Sequence, residues 1–97
     1  MKISVITVCY NSEKTIEETI KSVIDQDHKE LEHIIIDGGS IDNTKKIISK
    51  YDHFIKSVTS EPDDGIYDAI NKGISKSSGE VISILHSNDI FSIKELK

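Results

Sequence analysis

Three consecutive isoleucines, Ile34, Ile35 and Ile36, run straight into Asp37-Gly38-Gly39-Ser40, and this junction limits what the chain can fold into. An unbroken β-branched run predicts a strand buried on both faces, the pattern of a parallel sheet's interior. Asp37 then falls at the carboxyl end of that strand, where the backbone leaves the core. Gly38 and Gly39 can take backbone angles closed to other residues and let a ligand approach closely. Ser40 or Asp42 is placed to cap a helix that begins near Asn43. A carboxylate at a strand's end, a glycine turn and a helix start together mark the place where open α/β sheets bind ligands. An ordinary strand-to-helix turn with a capping Asp fits the same residues.

The segments on either side repeat this arrangement. Lys2 to Cys9 is rich in β-branched residues and predicts a first strand. Ser12 is a good N-cap for the next segment, with Glu13 favouring the helix dipole. Ile16, Ile20, Val23 and Ile24 form one apolar stripe on a helix of about three and a half turns. After the helix that follows Asp42, with Ile47, Ile48 and Tyr51 on its buried side, Phe54 to Val58 predicts a third strand. A loop follows, Thr59-Ser60-Glu61-Pro62-Asp63-Asp64-Gly65. Ile66, Ala69, Ile70 and Ile74 then share a helix face, and Gly79 is placed to stop that helix. Val81 to Leu85 predicts a fourth strand, with His86-Ser87-Asn88-Asp89 just past its end. The order βαβαβαβ predicts a Rossmann-like, three-layer α/β/α fold with a mainly parallel sheet and right-handed crossovers.

The 97 residues predict a single domain, 1–97, with a modest core. A net charge of -5 argues against nucleic acid as the main partner, since phosphate contacts need basic patches. No apolar run reaches the length of a membrane span, and the N-terminus reads as a strand and not a signal peptide. The single cysteine, Cys9, has no internal partner, which fits a reducing cytosol and a cytoplasmic location. As a strand residue Cys9 reads as small and buried, with nucleophile as the alternative.

Each predicted strand hands over to its loop with polar groups: Tyr10-Asn11, Asp37, the Glu61 to Asp64 cluster and Asn88-Asp89. In a parallel sheet these converge on one edge, where acidic loops repel one another unless a cation or hydrogen-bond donors sit among them. A hard ion such as Mg²⁺ takes one or two carboxylates and completes its shell with substrate phosphates. Tyr10 suits stacking on a flat base, and Asp37 suits ring N–H or ribose hydroxyl groups. Together they suggest a nucleotide diphosphate whose charge reaches the protein through a metal. Neither a Walker-type phosphate loop nor a Gly-x-Gly-x-x-Gly fingerprint is present, which counts against NTPases and dinucleotide enzymes.

Four motifs in order carry a more specific signal. They are Ser-Val-Ile-Thr-Val-Cys-Tyr-Asn, Glu-His-Ile-Ile-Ile-Asp-Gly-Gly-Ser-Ile-Asp-Asn-Thr, Asp-Gly-Ile-Tyr-Asp-Ala-Ile-Asn-Lys-Gly-Ile and Gly-Glu-Val-Ile-Ser-Ile-Leu-His-Ser-Asn-Asp. Across residues 3 to 91 the chain resembles family 2 glycosyltransferases, inverting enzymes with the GT-A fold, in its N-terminal, nucleotide-sugar-binding part. The resemblance implies transfer of a sugar from a nucleotide-diphospho-sugar, a UDP- or GDP-sugar, to a glycan or lipid-linked acceptor, with Mg²⁺ or Mn²⁺ as cofactor. It implies polysaccharide biosynthesis, with peripheral membrane association of a full-length protein. The nucleotide-sugar-binding residues it implies are Val8, Tyr10, Asn11, Asp37, Asp64, Gly65 and Asn88, with Asp89 on the metal. Asn88 departs from the family's pattern, which usually carries two acids there. His86, where Asn or Asp is frequent, reads as an extra ligand or as a solvent-facing loop residue. The family's acceptor-binding half and its acidic general base are expected past Lys97, since Asp68 reads equally as a solvated or capping residue.

Plainer readings accompany each residue. Tyr10 closes the first strand, Asp63 and Asp64 form a turn beside Pro62 and Gly65, and Asn71 and Lys72 sit on a helix surface. Two rivals therefore stand beside the enzyme. One is a non-catalytic module or fragment that binds a nucleotide or nucleotide-sugar. The other is a nucleotidyltransferase, which generally needs a basic, glycine-rich loop that Tyr10-Asn11-Ser12-Glu13 does not supply.

Overall fold

The computed structural model describes residues 2–26 and 30–87. Its elements run β1 (Ile3–Cys9), α1 (Ile16–Ile24), β2 (Leu31–Asp37), α2 (Thr44–Ser49), a 3-10 turn (Asp52–Phe54), β3 (Ser57–Ser60), α3 (Ile66–Lys76) and β4 (Val81–His86). The strands form one sheet in the order β3-β2-β1-β4, and every pairing is parallel. Parallel neighbours need a crossover between them, and the intervening helices supply it.

Alternate strand residues face opposite layers. On one face Cys9 and Ile35 pack with Ile16 and Ile20 of α1 and Ile48 of α2. On the other, Ile6, Val8, Ile34 and Ile36 pack with Ala69 of α3. Ile34, Ile35 and Ile36 are all buried, as a strand between two helical layers requires. The expected three-layer α/β/α architecture with a parallel sheet is therefore present. Among the described residues no helix is long and apolar enough to cross a membrane.

Several boundaries differ from expectation. Helix α1 starts at Ile16, and Ser12 does not cap it with its side chain. The Ser12 carbonyl accepts from Thr15 N at 3.0 Å and Ile16 N at 2.9 Å, while its hydroxyl donates to Ser87 Oγ at 2.8 Å. The helix is accordingly nine residues long, shorter than the apolar stripe suggested. The third strand lies at Ser57–Ser60, because the preceding 3-10 turn leaves Phe54 58% exposed instead of in the sheet. Gly79 does not stop α3, which ends at Lys76. A Cβ on Gly79 would stand 2.5 Å from Ser4 Oγ and 2.7 Å from Ser4 N, so the glycine is there to let the chain pass over the start of β1.

The buried face of α3 also differs. Ile66 and Ile74 are substantially exposed, whereas Ala69 and Gly73 are buried. A Cβ on Gly73 would lie 2.4 Å from Ile6 Cγ2, so the helix approaches β1 more closely than any other residue allows. Gly73→Ala is expected to destabilise the fold by about 1–2 kcal/mol, because overpacking outweighs the better helix propensity of alanine. Urea denaturation checks this, and a variant as stable as the parent would refute the close approach.

Candidate functional site

Strand register brings the carboxyl ends together. Cys9 stands beside Asp37, Asp37 beside Ser60, and Val8 beside His86. The loops leaving β1, β2 and β3, together with Ser87 after β4, therefore share one edge, the ligand edge of open α/β sheets.

Asp37 is fully buried at the centre of this edge. Its Oδ2 accepts from Ser40 N at 3.0 Å and from Ser60 Oγ at 2.8 Å. Its Oδ1 accepts from the Ser40 hydroxyl and, at 3.5 Å, from the Cys9 thiol. Asp37 thereby closes the Gly38–Ser40 turn from below and ties it to β3. Ser40 is consumed in this network and does not cap α2. Asp42 does so instead, its Oδ1 accepting from Thr44 N at 2.9 Å, with the Thr44 bonds outweighing burial to hold its carboxyl below the usual range. Burial first, and then the neighbouring Asp37, push the Cys9 thiol far up. It stays protonated and inert at neutral pH, a small core residue and not a nucleophile.

The first two loops are stapled to each other. Asn11 adopts a left-handed conformation, φ 47°, which asparagine tolerates better than most residues. From there its N donates to Ser40 Oγ at 2.7 Å and its Oδ1 accepts from Ile41 N at 2.9 Å. Ser12 N donates to Thr44 Oγ1 at 2.8 Å, and Thr19 Oγ1 donates to Ser87 O at 2.7 Å. These bonds hold the end of β4 against the other loops.

The acidic third loop carries its own counter-charge. Lys72 Nζ lies 3.2 Å from Glu61 and 3.4 Å from Asp68, and donates to Pro62 O at 3.3 Å. Asp68 accepts from Asp64 N at 3.0 Å, the bond that most lowers its pKa. Lys72 is thus more than helix surface, and Asp68 serves its loop. Gly65 begins α3 at φ 114°, a conformation that glycine alone adopts readily.

Above these loops lie adjoining cavities. One of about 330 Å³ is lined by Tyr10, Gly38, Pro62, Asp63 and Gly65. A second, of about 310 Å³, is lined by Val8, Tyr10, Asp63, Gly65, Ile66, His86 and Ser87 among others. A third, of about 620 Å³, opens over Asn11, Ser12, Glu13, Asp42 and His86. Tyr10, 60% exposed, stands in the wall shared by the first two, as do Asp63 and Gly65.

Of the residues expected in the site, Val8, Tyr10 and Gly65 line the cleft and Asn11 borders the third cavity. Asp37 lies beneath the cleft, and Asp64 lines none of these cavities, its N–H turned to Asp68. Asn88 and Asp89 lie outside the described residues. Among the described residues no group of three or more His, Cys, Asp or Glu side chains is placed to hold a metal ion. Sequence reasoning gave Gly38 a close approach to a ligand and Asp63 a place in the acidic loop, but named neither among the nucleotide-sugar-binding residues. The Pro-Asp-Asp-Gly spacing announced a turn but not which of its two carboxylates faces the cleft.

A parallel sheet whose glycine turns, exposed aromatic and acidic loop gather at one edge defines the ligand-binding half of an open α/β protein. The chain belongs to glycosyl transferase family 2, whose pattern residues 4–97 match. It is 43% identical over 91 residues to the uncharacterized glycosyltransferase Rv1514c of Mycobacterium tuberculosis, over 93% of this chain and 35% of that protein. The structure of S. aureus TarS 1-349 in complex with UDP-GlcNAc superposes with a TM-score of 0.88 at 32% identity, covering 99% of this chain and 29% of that one. Glucosyl-3-phosphoglycerate synthase from M. tuberculosis, in complex with Mg²⁺ and UDP, gives a TM-score of 0.75 at 25% identity, over 89% of this chain and 33% of that one. The fold is therefore the N-terminal part of GT-A, and the chain spans about a third of the length of these relatives.

Proposed function

We propose that this chain is the donor-binding part of an inverting glycosyltransferase that uses a nucleotide-diphospho-sugar. The observation that carries the reading is the cleft over the carboxyl edge of the sheet. Tyr10 offers an exposed aromatic face there, and Gly65, whose Cβ position meets nothing within 4 Å, lets a ligand lie close to the backbone. A family relative of the same fold holds UDP-GlcNAc. In this reading the base stacks on Tyr10, and Val8, Asn11, Gly65 and Asn88 border the nucleotide-sugar. Asp37 supports the site by holding the turn beneath it.

Asp89, with Asn88 beside it, is the residue proposed to hold Mg²⁺ or Mn²⁺. The bonds from Ser12 and Thr19 anchor Ser87, directly before them, at the mouth of the cleft. Oxygen ligands there suit a hard divalent ion, which when bound offsets the charge of the departing diphosphate. In the reaction, the bond from the anomeric carbon to the diphosphate breaks as a glycan or lipid-linked hydroxyl attacks and gives its proton to a carboxylate base. That base is proposed to lie in the part of the relatives that this chain does not match. Asp68 is no substitute, since it is occupied by Asp64 N and Lys72. The cytoplasm, where the buried Cys9 stays reduced, is the proposed location, with peripheral membrane association of a full-length protein.

Calorimetry with UDP and UDP-GlcNAc, with and without Mn²⁺, tests the reading, alongside an acceptor panel. The chain is expected to bind the diphosphate in a metal-dependent manner, Asp89→Ala to abolish that dependence, and Asn88→Asp to strengthen it. Absence of nucleotide binding would refute the assignment. Robust glycoside formation would place the base within this chain.

A further inference from the structure

We propose that Asp63 is the residue that selects the donor's base, in the place that family resemblance gives to Asp37; this rests on the donor-binding reading above. Both Asp37 oxygens are turned inward onto Ser40, Ser60 and Cys9, in a side chain with no exposed surface. The next residue is a glycine, and the carboxylate of Asp63 fills the space a side chain would take. A Cβ on Gly38 would stand 3.0 Å from Asp63 Oδ2 and 3.5 Å from the Tyr10 ring. The third loop thus carries a carboxylate across Gly38 to the edge of the aromatic platform. Asp63 Oδ1 is fixed by Gly65 N at 3.2 Å, and the described residues give Oδ2 no partner. Asp63 and Tyr10 both line the cavity of about 330 Å³.

An ionised carboxylate only accepts hydrogen bonds. A base stacked on Tyr10 meets it well if its pairing edge presents a ring N–H, as uracil and guanine do. Cytosine and adenine present a ring nitrogen lone pair at the equivalent position, leaving the carboxylate unpaired and repelled. The chemical class selected is therefore a nucleoside diphosphate whose base carries a ring N–H donor, and cytidine and adenosine diphosphates are rejected.

The test is calorimetric affinity of the chain for UDP, GDP, CDP and ADP with Mn²⁺ present. UDP or GDP is expected to bind about tenfold or more tighter than CDP and ADP. Asp63→Asn keeps an oxygen for Gly65 N and adds an N–H, so it is expected to bring CDP to within about threefold of UDP. Gly38→Ala is a second route, since its methyl displaces the Asp63 carboxylate without removing it, and is expected to lower UDP affinity about tenfold. A parent chain that binds all four equally, or a preference unaltered in whichever variant folds, overturns the assignment to Asp63 and leaves the donor-binding reading standing. Failure of the parent to bind any of the four removes both.

Discussion

Asp37→Ala is expected to destabilise the fold by roughly 3 kcal/mol, more than it would weaken any ligand contact, because two buried donors of Ser40 and the Ser60 hydroxyl lose their acceptor at once. Ser40 N, Ser40 Oγ and Ser60 Oγ all converge on this carboxyl group beneath the cleft, and Ser40 is buried with it, out of reach of water that would replace the lost acceptor. Asp37→Asn keeps one acceptor oxygen and is expected to recover about half of the loss. Chemical denaturation of the two variants measures both values. A melt unchanged in Asp37→Ala would mean that the turn is held by its glycines and Asn11 alone.

Mild acid is the second large effect. His33 is buried in β2, its Nε2 2.7 Å from Thr7 Oγ1, and its Nδ1 has no partner among the described residues. Burial lowers its pKa from 6.5 to about 4. Below pH 6.5 the unfolded chain therefore takes up a proton that the folded chain refuses until about pH 4. Stability should fall through that window by roughly 3 kcal/mol from this group alone. That is a large share of the total for a chain of this length. His33→Leu should flatten the slope between pH 6.5 and 4. Glu32 adds a further loss at lower pH. Burial would raise its pKa, but the bonds from Lys56, Ser4 and Ser78 outweigh it and hold the carboxylate well below the usual range. Its contribution is complete above the ordinary glutamate pKa and fades as the pH falls beneath it. Melting curves of parent and His33→Leu across this range decide the matter, and parallel pH profiles would refute the role of His33.

The structure agrees with the sequence where a signal is local and repeated. The isoleucine run, the β-branched Ile3–Cys9 and the period of Ile16, Ile20 and Val23 each bury a face whatever their neighbours do, so strands, helices and their order followed. Phe54 and Ile66 misled because apolarity was read as burial. Phe54 falls in a turn, and Ile66 lies away from the close contact that Gly73 makes with Ile6. A glycine's missing side chain carries no hydrophobic signal, yet it decides which helix face meets the sheet.

The candidate site divides along the same line. By itself the sequence determined that polar and glycine residues follow each strand, and a parallel sheet must bring those ends to one edge. Tyr10 and Gly65 were legible in this way. Which carboxylate lines the cleft was decided only by tertiary structure. Asp37 and Asp63 are both acids in glycine-flanked turns, and nothing in their local sequence ranks one above the other. Ser40 and Ser60 draw the first inward, and Gly65 N with the gap at Gly38 turns the second toward Tyr10. Those partners lie as far as 23 residues apart in the chain, and a side chain's direction depends on which donors packing places beside it.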